Sequence, residues 1–239
     1  PGEGVAGSYA QYLLVSAQRL APVPEGLDLQ GAAAVPVAAM TGWQALFAAD
    51  RGALTKGQKV LVHGASGGVG SFATQFARHA GVDVATTCSK ANLDYVRGMG
   101  SSLALDYRTD ITAALADWSP GGVDVVVDAV GAGSLPGVLD LLRPGGRLVS
   151  IATLVADGDI EADVHEAKAR GRQKIYAIMD NSNMRDELSH IGLLITQGHV
   201  QLPPVQVFDL QEVQAAHRLI EQGHVRGKLV LRIGHWAGE

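Results

Sequence analysis

Hydrophobic positions in this chain follow two alternating rhythms. Short apolar runs recur at 59–63 (Lys-Val-Leu-Val-His), 82–87, 102–106, 123–128 (Val-Asp-Val-Val-Val-Asp) and 147–151 (Arg-Leu-Val-Ser-Ile). Between them the spacing turns helical, as with Phe72, Phe76 and Ala80 at i, i+4 and i+8. Branched runs of this length read as strands and the intervening segments as amphipathic helices. Strands alternating with helices make βαβ units, and hence a parallel sheet covered on both faces. A sixth strand is expected over 174–179 and a helix over 183–197.

The two ends break this rhythm. Residues 8–15 (Ser-Tyr-Ala-Gln-Tyr-Leu-Leu-Val) read as a strand, and Pro22, Pro24 and Gly26 mark a turn after it. Asp28 is placed to cap a short helix through 31–35. Thr41 is placed to cap another, with Trp43, Leu46 and Phe47 on one apolar stripe. Beyond the alternating region, 205–208 and 228–233 read as strands flanking an amphipathic helix over 209–222. No internal repeat, low-complexity segment or long linker divides the chain.

Composition narrows the classes. The chain has 239 residues, 47% hydrophobic and 18% charged, which suits one large domain or two small ones with an ample core. A net charge of −5 argues against a nucleic-acid partner, which calls for a basic surface. No run approaches the roughly 18 apolar residues of a membrane-spanning helix. Pro1-Gly2-Glu3-Gly4 resembles no secretory signal. Cys88 is the single cysteine, so this chain forms no internal disulfide and no multi-cysteine zinc site. A cytoplasmic protein with neither nucleic-acid nor membrane partner is the expectation.

One segment carries recognisable chemistry. Gly64-Ala65-Ser66-Gly67-Gly68-Val69-Gly70 follows the strand at 59–63 and opens a helix over 69–80. A glycine-rich turn there lets backbone amides reach a pyrophosphate at the positive end of the helix. Gly67 allows the close approach, and Gly70 lets the helix pack on the strand. Ala65 replaces the first glycine of G-x-G-x-x-G, so the strand–turn–helix context carries the reading. The plainer reading is a capping turn without a ligand. The second strand ends in Thr86-Thr87-Cys88-Ser89-Lys90, with no acid until Asp94. An NAD site places an acid there for the ribose 2′-hydroxyl, whereas Ser89 and Lys90 suit the 2′-phosphate of NADPH. Lys90 as an ordinary solvated lysine is the alternative.

These segments resemble the medium-chain dehydrogenase/reductases, in particular the zinc-independent quinone oxidoreductase branch. The likeness runs from Gly7 to Ile233 and includes 7–12, 39–46, 60–70, 124–131, 143–151 and 223–231. It implies an α/β fold: a doubly wound six-stranded parallel Rossmann sheet inserted in the remnant of a GroES-like β-rich catalytic domain. Residues 1–35 would then be part of that catalytic domain, 36–198 the dinucleotide-binding domain and 199–239 the return. The resemblance puts Thr41 near the nicotinamide half of the cofactor, and Ala65, Ser66, Gly67, Gly68, Val69 and Gly70 around the pyrophosphate. It puts Ser89, Lys90, Asn92 and Tyr107 at the 2′-phosphate and adenine. Val130, Gly131, Ser150 and Ile151 would line the crevice, Lys228 its entrance, and Arg226 would reach the phosphate.

Zinc-dependent relatives carry a cysteine four residues before the threonine matched by Thr41; here that position is Val37. No metal ligand is assigned. Relatives also have a longer segment before residue 8, which supplies a tyrosine, an asparagine and one wall of the substrate cleft. The implied chemistry is hydride transfer from NADPH to a quinone or an enone, with a proton from solvent or a cofactor hydroxyl. No residue is assigned a catalytic role. Two alternatives stay open: an NADPH-binding module or subunit without turnover, and an enoyl-thioester reductase. A homodimer is implied through edge strands of the sheet.

Other features carry less. None of the histidines falls at ligand spacing on one helix, and His63 reads as a satisfied core residue. The Tyr-x-x-x-Lys pair of short-chain reductases is absent: Tyr95, Tyr107 and Tyr176 have no lysine four residues on. The basic run 168–172 reads as a solvated loop, with closure over the cofactor as the sharper alternative.

Overall fold

The computed structural model describes residues 7–131, 133–152 and 159–234. Six strands form one parallel sheet: β1 (Lys59–His63), β2 (Asp83–Cys88), β3 (Leu103–Asp106), β4 (Val123–Asp128), β5 (Leu142–Ser150) and β6 (Gln173–Tyr176). Their spatial order is β3-β2-β1-β4-β5-β6. The order reverses between β1 and β4, and in such sheets a crevice opens there, outside the carboxyl ends of the strands. This is the doubly wound fold that the resemblance implies, built on the parallel sheet expected from the alternation.

Alternate residues of each strand face opposite layers, and the core divides accordingly. Val60, Val62, Val125 and Val127 meet Phe72, Phe76 and Ile191 on one face. That face is covered by α2 (Pro36–Phe47), α3 (Gly68–His79), α4 (Leu93–Gly98) and α7 (Met184–Thr196). Leu61, Val126 and Leu148 meet Ile111, Leu115 and Ala167 on the other, under α5 (Thr112–Trp118) and α6 (Ile160–Ala169). Trp43 of α2 and Phe76 of α3 meet edge to face, with ring centres 5.3 Å apart.

A buried arginine ties α2 to the end of the sheet. Arg51, 7% exposed, donates to Gln44 Oε1 at 3.1 Å and to the Ile178 carbonyl at 2.7 Å. Gln44 in turn donates to the Asp180 carbonyl at 2.8 Å and to Glu187 at 2.6 Å. Through Gln44 these contacts join α2 to Asp180, between β6 and α7, and to Glu187 of α7, so the helix that carries Thr41 is fixed against the sheet.

The ends are organised separately. Asp28 caps α1 (Leu29–Ala34), its carboxylate accepting from Gly31 N at 2.6 Å, as the sequence implies. The last elements are β7 (Val205–Asp209), α8 (Val213–Glu221) and β8 (Lys228–Arg232); β7 and β8 pair as a two-stranded parallel sheet. Helix α1 packs against this pair.

Four expectations are corrected. Residues 8–15 form no strand, because no described segment runs alongside to take their backbone hydrogen bonds; Tyr12 and Leu14 stand 91% and 95% exposed. Thr41 caps nothing. Helix α2 starts at Pro36, whose ring pre-sets the helical φ and needs no hydrogen-bond acceptor, leaving Thr41 in the helix interior. Strand β6 ends at Tyr176 rather than 179, and β5 begins earlier, at Leu142. The basic run 168–172, by contrast, is the exposed end of α6 and the turn leading into β6, close to the solvated loop expected. It lies at the amino edge of the sheet, with Gly171 O accepting from Gly145 N at 2.8 Å, so only the alternative of closure over a crevice at the carboxyl edge falls.

Phe76 is fully buried between Trp43 and Phe72. Phe76→Ala is expected to cost about 3–5 kcal/mol, read as a lower urea midpoint with an unchanged slope.

Candidate functional site

The turn between β1 and α3 is built by close backbone contact. A Cβ on Gly70 would lie 2.6 Å from the Cα of Ala65 and collide with the Gly64 carbonyl. Only glycine lets α3 sit this near the end of β1. Gly64 itself has φ +80, in the left-handed region. Ala65 N donates to the Thr87 carbonyl at 3.0 Å, fastening the turn to β2. No side chain caps α3 at Gly67, so the positive end of a twelve-residue helix faces the crevice with backbone amides alone.

A distant segment closes the other side. Gly227 N donates to the Ser66 carbonyl at 3.0 Å, which lays the turn between α8 and β8 across the glycine-rich turn. Together they bound a crevice of about 290 Å³. Lys228 runs beside Gly68, its Cγ 3.1 Å from where a Cβ would stand, and lines the crevice. Its ammonium has no partner among the described residues, and burial lowers its pKa below the usual lysine value. An anion seated here would supply the missing counter-charge, so these residues fit a pyrophosphate.

The end of β2 gathers most of the remaining expected residues. Ser89 Oγ accepts from Asn92 Nδ2 at 3.2 Å. Asn92 Oδ1 accepts from Arg226 Nε at 2.6 Å, and the Ala91 carbonyl accepts from Arg226 Nη2 at 3.1 Å. The guanidinium lies 5.3 Å from the centre of the Tyr95 ring. Lys90 is exposed and has no partner among the described residues. Tyr107 follows β3, its N donating to the Cys88 carbonyl at 3.2 Å, and Arg108 lies 5.5 Å from the Tyr107 ring centre. Tyr95 and Arg108 were not anticipated. Arg108 adjoins Tyr107 in sequence, but nothing in the pattern signals that it folds back over the ring.

Asp128 shapes the end of β4. Its Oδ1 accepts from Val130 N at 3.0 Å and Gly131 N at 2.9 Å, curling the chain so that Val130 covers Gly64. Ile151 N donates to the Asp128 carbonyl at 3.0 Å, and the buried Ser150 pairs with Asp128 across the ladder. Thr41 is half-buried and its side chain makes no hydrogen bond with a described residue. Its neighbour Gly42 touches the start of α3, where a Cβ would stand 3.2 Å from the Val69 carbonyl. The expected residues thus fall along one edge of the sheet, in three groups at β1, β2 and β4–β5.

His63 is the satisfied core residue the sequence suggests. Its Nδ1 lies 2.6 Å from Thr87 Oγ1 and its Nε2 3.0 Å from Ser134 Oγ. Burial lowers its pKa against the opposing pull of Asp128, so it is a neutral pin between strands. Burial and then Asp106 push the Cys88 thiol up to about 11, which makes it inert packing.

One cluster escaped the sequence reading. Asp163 of α6 accepts from both Lys174 and Tyr176 of β6 through Oδ2. With Asp128, Ser134 and Ser150 these residues line a cavity of about 90 Å³. The hydrogen bonds from Lys174 and Tyr176 lower the pKa of Asp163. Burial works against the Lys174 charge, but Asp163 and Tyr176 outweigh it and its pKa rises. Partners 11 and 13 residues apart on two elements leave no local signal.

With the fold and crevice defined, the likeness to known proteins is specific. Residues 99–231 match the family described as zinc-binding dehydrogenase. The chain is 33% identical over 239 residues to a probable mitochondrial zinc-binding oxidoreductase of Arthroderma benhamiae, covering 95% of this chain and 70% of that protein. It is 36% identical over 241 residues to the spectinabilin polyketide synthase system protein NorB of Streptomyces orinoci, covering 97% of this chain but 11% of NorB. The quinone oxidoreductase of Coxiella burnetii superposes with a TM-score of 0.78 at 32% identity, over 89% of this chain and 63% of that one. This chain belongs to the zinc-binding dehydrogenase family, the medium-chain dehydrogenase/reductases, as a quinone oxidoreductase-type member. It spans only part of the length of these relatives.

Asp163 ionises more readily in the folded chain than in the unfolded one. Its bonds therefore contribute above the ordinary carboxylate pKa of about 4 and are lost as pH falls through the lowered folded value. Lys174 mirrors this, contributing below about 10.4 and losing its effect as pH rises through its raised value. Asp163→Asn is expected to cost about 1 kcal/mol at pH 7, a figure kept small by solvent screening. Urea titrations should show the gap to wild type narrowing progressively below about pH 4.

Proposed function

We propose that the chain is the nucleotide-binding portion of an NADPH-dependent reductase that delivers hydride to a quinone or an enone without a catalytic zinc. The observation carrying the cofactor choice is the rim at the end of β2. Lys90, Ser89 and Arg226 stand there; Asp94 is bound to Arg97 at 2.8 Å with its side chain 99% exposed, and Asp106, opposite Cys88 at the end of β3, accepts through Oδ1 from Arg108 N at 3.1 Å. A carboxylate on that rim would repel a 2′-phosphate; two cations attract it.

Bound NADPH would supply the hydride. The chain's own residues seat it: the first turn of α3 and Lys228 take the pyrophosphate, Ser89, Lys90 and Arg226 the 2′-phosphate, and Tyr107 the adenine. Val130, Gly131, Ser150 and Ile151 bound the far end of the crevice, with Thr41 on the helix above. Catalysis in this reading rests on positioning and on excluding water. Val37 supports the zinc-free part: four residues before Thr41, it offers no donor atom to a metal. Among the described residues, no three of His, Cys, Asp or Glu gather as a metal site.

The likeness to the CurK enoyl reductase, 25% identical with a TM-score of 0.80 over 91% of this chain and 67% of that one, supports a second reading, an enoyl-thioester reductase using the same crevice. Activity on an acyl thioester rather than a free quinone separates the two. The packing of α1 on β7 and β8 supports assigning 1–35 and 199–239 to one catalytic unit around the dinucleotide domain at 36–198. The open edge of β6, with Ile178 beyond it 71% exposed, supports pairing with a second copy. Sedimentation should then give a dimer that Ile178→Lys dissociates; a monomeric wild type would remove the dimer from the proposal.

Fluorescence titration should show NADPH binding at least tenfold tighter than NADH, about 1.4 kcal/mol. Lys90→Ala and Arg226→Ala should each weaken NADPH about tenfold and leave NADH little changed. Equal affinity for both cofactors would end the 2′-phosphate assignment.

A further inference from the structure

The opposite edge of the sheet carries an arrangement that the cofactor reading does not use. The carboxyl ends of three helices converge there on a cleft of about 290 Å³, lined by Arg78 and His79 of α3, Gly98 and Met99 at the end of α4, and Gly198 and His199 after α7. The imidazoles of His79 and His199 face each other with ring centres 4.5 Å apart, tilted by 41°. Both residues are exposed, and neither ring is hydrogen-bonded to a described residue.

The pair is held in place from below. Gln75, 7% exposed, donates through Nε2 to the Gln201 carbonyl at 3.0 Å, and its Oε1 accepts from Gln201 N at 2.8 Å. Gln75 and His79 stand at i and i+4 on one face of α3. His199 precedes Gln201 by two residues, and its own N donates to the Leu194 carbonyl at 3.0 Å. This double amide contact therefore sets the spacing of the two rings before any ligand arrives.

We propose that His79 and His199 form a binding site for a divalent transition cation of the zinc or nickel class, with water completing the shell. Two imidazoles sharing one tetrahedral zinc, each nitrogen about 2.1 Å from the metal, put their ring centres roughly 5 Å apart, close to the separation seen. Neutral imidazole is a favoured ligand for these ions. The field agrees with a cation, since each helix carries about half a negative charge at its carboxyl end. Arg78 opposes it, but its methylenes lie over Gly100, towards the turn into β3. The metal would bridge α3 and the segment leading into β7. At roughly 12–16 Å along the axis from the first turn of α3, at the far end of the helix, it is a structural clamp and independent of the hydride chemistry.

The test is isothermal titration of the metal-free chain with zinc chloride and nickel chloride, using His79→Gln, His199→Gln and, as a remote control, His165→Gln. All three positions are exposed, and circular dichroism checks their folding. One equivalent should bind to the wild type and to His165→Gln, and at least tenfold more weakly to each of the other two variants. No heat up to about 1 mM metal would overturn the proposal. Affinity unchanged in either His79→Gln or His199→Gln would overturn it equally, because a shared ion needs both rings.

Discussion

The nearness of Gly70 to the Gly64 carbonyl governs the upper edge of this molecule. Because no side chain intervenes, α3 starts directly over the end of β1, and its first amides open onto the point where the sheet order reverses. Everything else at that edge is fitted around this approach. Val130 curls over Gly64 because Asp128 holds its amide. Ala65 is tied to β2, Ser66 to the turn before β8, and Gly42 allows α2 to press on the start of α3.

A crevice made of backbone needs charge brought from elsewhere. Lys228 and Arg226 come from the last strand and the turn before it, and both reach over elements formed much earlier in the chain. Arg226 spends two donors on Asn92 and the Ala91 carbonyl, which fixes its guanidinium beside Ser89 before any ligand is present. Lys228 is different, a part-buried ammonium without a partner among the described residues. The contrast suits one group that orients and one that neutralises. At the amino edge, Gln75 plays a comparable holding role for His79 and His199.

Local rules read the sheet well. Strand β4 and the interior of the other strands follow from branched runs, and the Asp28 cap and the glycine-rich turn follow from residues within a few positions of one another. The same rules failed where a neighbour in space decides. Residues 8–15 have the composition of a strand but no partner to pair with among the described residues. Thr41 looks like a cap, yet Pro36 and the apolar run after it begin the helix earlier. The basic run 168–172 could be assigned to an edge only once the direction of β6 was known.

The sequence by itself determined the alternation of strands and helices, the glycine-rich turn, the lack of an acid after β2 and the likeness to the medium-chain dehydrogenase/reductases. Each rests on side-chain period or on backbone freedom, which act over a few residues. Only the tertiary structure decided that Arg226 meets Asn92, that Asp163 binds Lys174 and Tyr176, and that His79 faces His199. Those meetings join residues from separate elements, and their geometry is set by how the helices pack on the two faces of the sheet. Packing sums many weak contacts over the whole core, so no short stretch of sequence encodes it.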